Sequence, residues 1–113
     1  MMNRLIATLF LSREVAHREH LRVTGVGSYA AHKALNEFYD EIVDNADAIA
    51  EAYQGRHGIM EPIPYLNPGV MKGNAADILQ SHLDAVEKMR YQAADKDETA
   101  IQNLIDEIGR AHV

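Results

Sequence analysis

The sequence predicts an all-α fold, a four-helix bundle with one long connection between its second and third helices. Two observations carry that expectation. Apolar residues recur at three- and four-residue steps along most of the chain, the period of a helix with one buried face rather than the alternation of a strand. All three prolines, Pro62, Pro64 and Pro68, fall between Gly58 and Gly73, so helix-breaking chemistry is concentrated in one place and divides the pattern into two pairs of helices. A chain of 113 residues with 47% hydrophobic content fits a single domain with one core.

Residues from about Asn3 to Val23 lack Gly and Pro and are rich in Leu, Ala, Arg and Glu, which favours a first helix ended by Thr24-Gly25-Val26-Gly27. Ser28 is suited to cap the second helix. Its apolar positions Leu35, Phe38, Tyr39, Ile42, Ala46, Ile49 and Tyr53 are the strongest periodic signal in the chain. Gly55 and Gly58 stop it, and the proline-bearing stretch to Gly73 is long enough to cross the end of a bundle. A third helix is predicted from about Asn74 to Ala94, with Ile78, Leu79, Leu83, Val86 and Met89 on its buried side. Asp95 or Asp97 would cap a fourth, carrying Ile101, Leu104, Ile105 and Ile108. That last helix is short beside its partners and would leave core uncovered at one end. The hexapeptide Ile108-Gly109-Arg110-Ala111-His112-Val113 matches what one reading frame of a common sequencing-library adapter encodes. The expected organisation is therefore a domain over residues 1–107, a truncated fourth helix and a non-native tail over 108–113, with His112 excluded from any site.

The absence of cysteine removes disulfides and thiolate metal sites, so any metal would be held by His, Asp or Glu. With 17 acidic against 11 basic residues the formal charge is −6, and no Lys/Arg block is present to neutralise DNA phosphates. Direct DNA binding is disfavoured on that ground. The apolar run Leu5 to Leu11 is too short to span a bilayer and is followed at once by Arg13 and Glu14. No small-residue cleavage site follows it either, so a cytoplasmic helix is expected rather than a signal peptide.

Six histidines are many for this length, and two are informatively spaced. His20 stands near the end of the first helix and His32 near the start of the second. Setting His32 at zero and turning 100° per residue, Asn36 falls at about 40°, Asp47 at about 60° and Glu51 at about 100°. The four share one flank, yet His32 and Asp47 are separated by about 22 Å of helix rise and cannot meet within one chain. They meet if helix two packs antiparallel against its own copy about a two-fold axis near Tyr39 to Val43. The pattern thus predicts an isologous homodimer with two identical sites. Two imidazoles and two carboxylates suit a borderline divalent ion such as Fe(II).

The stretch running from His20 through Gly25 and Tyr29 to His32, with Asp47 and Glu51 further along, resembles the Dps-like miniferritins (DNA-binding proteins from starved cells). Those proteins carry Ala-His-Trp-x-x-x-Gly, then an aromatic residue and a second His, at the same junction and an Asp and Glu on the same helix. The resemblance covers about half the chain and implies a ferritin-like bundle that assembles into a homo-oligomer. It further implies an intersubunit iron site, with His20 and His32 from one subunit and Asp47 and Glu51 from its neighbour, that oxidises Fe(II) with peroxide or oxygen and stores the product. Two departures stand out: Leu21 where the family has Trp, and Asn36 where it has a metal-bridging Asp. Asp40 and Asp44, at about 80° and 120°, lie towards the edge of the cluster. Ser28 to Leu35, with Tyr53 to Gly58, is also similar to an uncharacterised ferritin-like family of tailed bacteriophages and prophages.

Simpler readings stand beside these. His20 and His32 can be polar residues bonded locally at a helix junction, and Asp47 and Glu51 a solvated face whose like charges repel slightly. Glu14-Val15-Ala16-His17 has the Glu-x-x-His spacing of intrasubunit di-iron bundles, but no second copy exists to complete it. The tyrosines and Phe38 of helix two read as core, and Met60, Met71 and Met89 as gap-fillers. The alternative to an iron-oxidising protein is a non-catalytic helical interaction protein of phage origin.

Overall fold

The computed structural model describes residues 1–23, 27–67 and 74–108. Four α-helices follow in order, α1 (Met2–Arg22), α2 (Ser28–His57), α3 (Ala75–Ala93) and α4 (Thr99–Asp106), and no strand occurs among the described residues. The all-helical expectation is met, with shifts at the helix boundaries. Ser28 is the first helical residue of α2, and the cap position falls on Gly27, whose left-handed backbone (φ +78°) is open to glycine at little cost. Helix α2 runs through Gly55 and stops at Gly58, which is left-handed as well (φ +84°). Asn74 caps α3 through its side chain, which accepts from the Asp77 amide. The cap position of α4 is Glu98 rather than Asp95 or Asp97. Residues 24–26, 68–73 and 109–113 lie outside the described residues, and with them the Thr24 to Val26 stop, Pro68, Met71 and most of the tail expected to be non-native.

The core is the sum of the apolar stripes. Leu5, Ile6, Leu9 and Val15 of α1, Phe38, Ile42, Ala46 and Ile49 of α2, Leu79 and Val86 of α3, and Ile101 and Ile105 of α4 are buried together. Met60, Met89 and Ile108 pack at its edge. Helix α1 packs against α2 and α3, and α2 also packs against α4. Residues near the start of α1 and just beyond the end of α2 are joined, the Asn3 side chain donating to the Pro62 carbonyl at 3.1 Å. The start of α3 lies at the other end, beside Glu19 of α1, Val23 just after it and Leu35 of α2. No described helix is long and apolar enough to cross a membrane.

Three polar contacts hold the stripes in register. Ser12, fully buried, donates to the Thr8 carbonyl (2.9 Å), so its oxygen accepts from Nδ1–H of His82 (2.8 Å), tying α1 to α3. Burial lowers the His82 pKa below its ordinary 6.5. A histidine so shifted binds fewer protons in the fold than in the unfolded chain. Its contribution is therefore complete above about pH 6.5 and is lost as pH falls through the folded-state value. We expect the urea midpoint of the protein to drop between about pH 7.5 and 5.5, and to drop less in His82→Gln, which cannot charge.

The second contact joins α3 to α4. Arg90 is 5% exposed; its Nε donates to Gln102 Oε1 (2.8 Å), its Nη2 to the Gln102 carbonyl (2.9 Å), and its Nη1 pairs with Asp106 (2.7 Å) and Glu87 (3.1 Å). Burial disfavours the charge, but the bonds to Asp106 and Glu87 outweigh it and the guanidinium pKa is raised. Gln102 Nε2 donates back to the carbonyls of Arg90 (3.2 Å) and Ala94 (2.9 Å), satisfying acceptors that the end of α3 would leave open. The third contact clasps the end of α2 to the start of α4. The buried Glu98 carboxylate takes Nε2 of His57, Arg56 Nε (2.9 Å) and the Asp95 amide (2.9 Å). The bond from His57 is the chief reason its pKa is lowered.

Candidate metal centre

The junction between α1 and α2 is fastened by its two histidines. Each ring donates Nδ1–H to the other residue's backbone carbonyl, His20 to His32 O at 2.9 Å and His32 to His20 O at 3.0 Å. Because a carbonyl can only accept, both Nδ1 atoms carry the proton, and in the neutral rings both Nε2 atoms keep a free lone pair. The rings stack at 3.7 Å between centroids. His20 O lies in the last turn of α1, where carbonyls lack helical partners, so the bond from His32 also serves as a cap. Left-handed Gly27 sits inside this reversal.

Around the pair is an aromatic cluster that spacing alone did not reveal. The His17 ring lies on Tyr39 at 4.4 Å, and Tyr39 meets the edge of His20 at 5.3 Å. The Tyr39 hydroxyl donates to Asn36 Oδ1 at 2.8 Å, and Asn36 Nδ2 donates to Asp40 Oδ2 at 3.4 Å. Tyr39 is thus half-buried with its phenol turned to the site rather than simply core. Asn36, at the position where a bridging carboxylate would stand, is engaged on both of its amide atoms. Glu14 pairs with Arg18 (3.3 Å) and Arg13 (3.9 Å), so the Glu14-x-x-His17 spacing does not assemble.

Asp47 and Glu51 are exposed on the later part of α2. Asp47 borders a groove of about 700 Å³ between α1 and α2 with Phe10, Leu11 and Val43. The single chain therefore brings His20 and His32 together and leaves the two acids apart from them. Among the described residues no group of three or more His, Asp or Glu side chains converges within one chain.

Sequence reasoning missed Arg90, Gln102, His82 and Glu98. Arg90 lies four after Val86 and Gln102 three before Ile105, inside apolar stripes, and a polar residue at such a step is the one available signal.

The Family of unknown function (DUF5856) matches residues 20–112 of the chain. No curated protein and no solved structure matches it.

Proposed function

The chain belongs to that family of unknown function, and from this premise we propose that it is a ferritin-like, Dps-like protein that binds Fe(II) between two subunits and oxidises it, with the iron then held as stored product. The observation that carries the proposal is the reciprocal bonding of His20 and His32. Metal-ligating histidines ordinarily donate the second ring nitrogen to a carbonyl or carboxylate, which fixes tautomer and orientation. Here both rings are fixed in that way, each by the other's backbone.

The helix arrangement supports the same reading. The residues just beyond α2 lie at the start of α1, whereas α3 begins at the end of α1. By these contacts α2 and α3 run in the same direction, which is what a ferritin-like crossover between them would require. Helix α1 between α2 and α3, with α4 on α2, is the neighbour order of that topology.

In the proposed assembly α2 of one protomer lies antiparallel to α2 of its partner, and each His20/His32 pair faces Asp47 and Glu51 across the two-fold axis. Neutral imidazoles supply lone pairs and the carboxylates supply negative charge, a donor set suited to Fe(II) and more so to the Fe(III) that follows. With peroxide as oxidant, two Fe(II) give up one electron each, the O–O bond breaks, and two protons are taken up to leave two waters. Asn36, tied to Tyr39 and Asp40, supplies no charge, so one carboxylate fewer faces the metal than in the resembling family. Anaerobic titration with Fe(II) followed by peroxide or air tests the reading. Saturable binding and then a rise in Fe(III) absorbance are expected; the lack of both would remove it.

Asn36 favours a second reading, a helical interaction protein that keeps the bundle without the chemistry. It predicts the same self-association through α2 but no metal dependence of it. DNA binding remains disfavoured by the −6 charge, and a gel shift at physiological salt would overturn that.

A further inference from the structure

The two helices that frame the groove beside Asp47 carry opposite charge. Helix α1 has Arg4, Arg13, Arg18 and Arg22 against Glu14 and Glu19, whereas α2 has Glu37, Asp40, Glu41, Asp44, Asp47 and Glu51 against Lys33 and Arg56. Between them lies the groove of about 700 Å³, lined by Ala7, Leu11 and Val43 together with Phe10, which is 41% exposed. No residue of α3 or α4 is among its described lining residues. Setting Phe10 at zero on α1, Leu11 falls at about 100°, and past the end of the groove Leu21 falls at about 20°, Arg18 at about 80° and Arg22 at about 120°. The α1 flank that borders the groove therefore continues into a leucine 72% open to solvent and two exposed arginines.

We propose that this face is the seat of a second copy of the chain, whose α1 lies along the acidic flank of α2 so that the partner's Arg18 faces Asp47 and the partner's Arg22 faces Glu51. The inference rests on the antiparallel α2 pairing given above and deepens it. The register follows from the bonds between His20 and His32, which set these residues level across α1 and α2. A two-fold axis that brings His32 opposite the acids also brings the partner's His20 level with the midpoint of Asp47 and Glu51. The partner's α1 then runs in the same direction as α2, because it is antiparallel to a helix that is itself reversed. Arg18 stands two residues before His20 and Arg22 two after it, so the first comes level with Asp47 and the second with Glu51. Both arginine side chains are mostly exposed and pair locally, Arg18 with Glu14 (3.3 Å) and Arg22 with Glu19 (3.7 Å), contacts that cost little to exchange in water. Near the axis Phe10 and Leu11 of each chain meet the groove of the other. Packing α2 on α2 alone would instead set acid against acid, with Asp40 and Asp44 of both chains crowding the axis. In the metal-free dimer the arginines thus neutralise the same two carboxylates proposed as iron ligands.

The test is charge reversal read by sedimentation of the full chain with a chelator present, so that no metal contributes. The unaltered protein should dimerise, and several-fold more weakly at about 0.5 M salt, where the charges are screened. One variant carries Arg18→Glu and Arg22→Glu, the other Asp47→Lys and Glu51→Lys. Each alone should self-associate about tenfold more weakly or worse, since like charges then meet at both ends of the interface. Mixed in equal amounts, with one chain carrying a fluorophore, they should form heterodimers about tenfold tighter than either homodimer. In the mixed pair the reversed charges face each other at one end and the native charges at the other. Circular dichroism checks that both variants keep their helix content. Reversed chains that associate as tightly as the unaltered protein, a mixture no tighter than its components, an association indifferent to salt, or a metal-free protein that stays monomeric would each overturn the proposal. None of these outcomes removes the iron reading, which the anaerobic Fe(II) titration decides separately.

Discussion

His20→Ala combined with His32→Ala is expected to reduce Fe(II) affinity by about 100-fold or more, because both imidazole donors of each site are lost and only two carboxylates remain. Calorimetric titration of Fe(II) under anaerobic conditions, or of Co(II) as a redox-inert stand-in, reads the change. The same two rings fasten α1 to α2, so a modest loss of stability accompanies the loss of the metal, of about 1 kcal/mol for each hydrogen bond removed. A metal-specific role is distinguished by the conservative variants His20→Asn and His32→Asn, whose amides can still donate to the facing carbonyl but give the metal a weak donor. They should recover part of the stability and little of the affinity. Affinity unchanged in the double alanine variant would remove these residues from the site.

Arg90→Ala should cost about 2–4 kcal/mol, the largest single effect on stability we expect. The guanidinium is almost fully enclosed and donates to Gln102 through two nitrogens, so its removal leaves the Gln102 acceptors without their buried donor and Asp106 without its cation. Asp106 and Glu87 are partly open to water, which limits the figure to the lower part of the range for broken buried pairs. Urea unfolding measures the loss, and hydrogen exchange locates it, with amides of Thr99–Asp106 losing protection first because α4 is only 8 residues long and owes its order to packing. A loss below about 0.5 kcal/mol would mean that the network contributes nothing net.

The helices were legible because their stripes are long and regular. Phe38, Ile42, Ala46 and Ile49 are the positions the 3.6-residue period selects, and all four are buried. Boundaries were less legible where a glycine does the work of a side chain. Ser28 has the chemistry of a cap, but the left-handed turn at Gly27 places it one residue inside α2. At the candidate centre, interval and angle brought out His20 and His32, since a helix reversal of fixed length sets their approach. The bonds that fix their rings were out of reach, because each runs to a backbone carbonyl that no sequence pattern marks. The turn of Tyr39 toward Asn36 was hidden for a related reason: an aromatic at a core step reads as core until the direction of its hydroxyl is known. Arg90 and Glu98 were passed over because charged residues are seldom enclosed, and what encloses them here is a partner on another helix.

The two-fold arrangement of α2 is tested most directly by complementation between two inactive chains. One carries His20→Ala and His32→Ala, the other Asp47→Asn and Glu51→Gln, and the two are mixed under conditions that let subunits exchange. Neither chain alone should bind Co(II) or Fe(II) with the affinity of the unaltered protein, whereas each mixed dimer should regain one complete site of that affinity, built from the histidines of one protomer and the acids of its partner. If the mixture binds no more tightly than its components, or if either variant by itself binds metal as tightly as the unaltered protein, the antiparallel pairing of α2 does not make the metal centre.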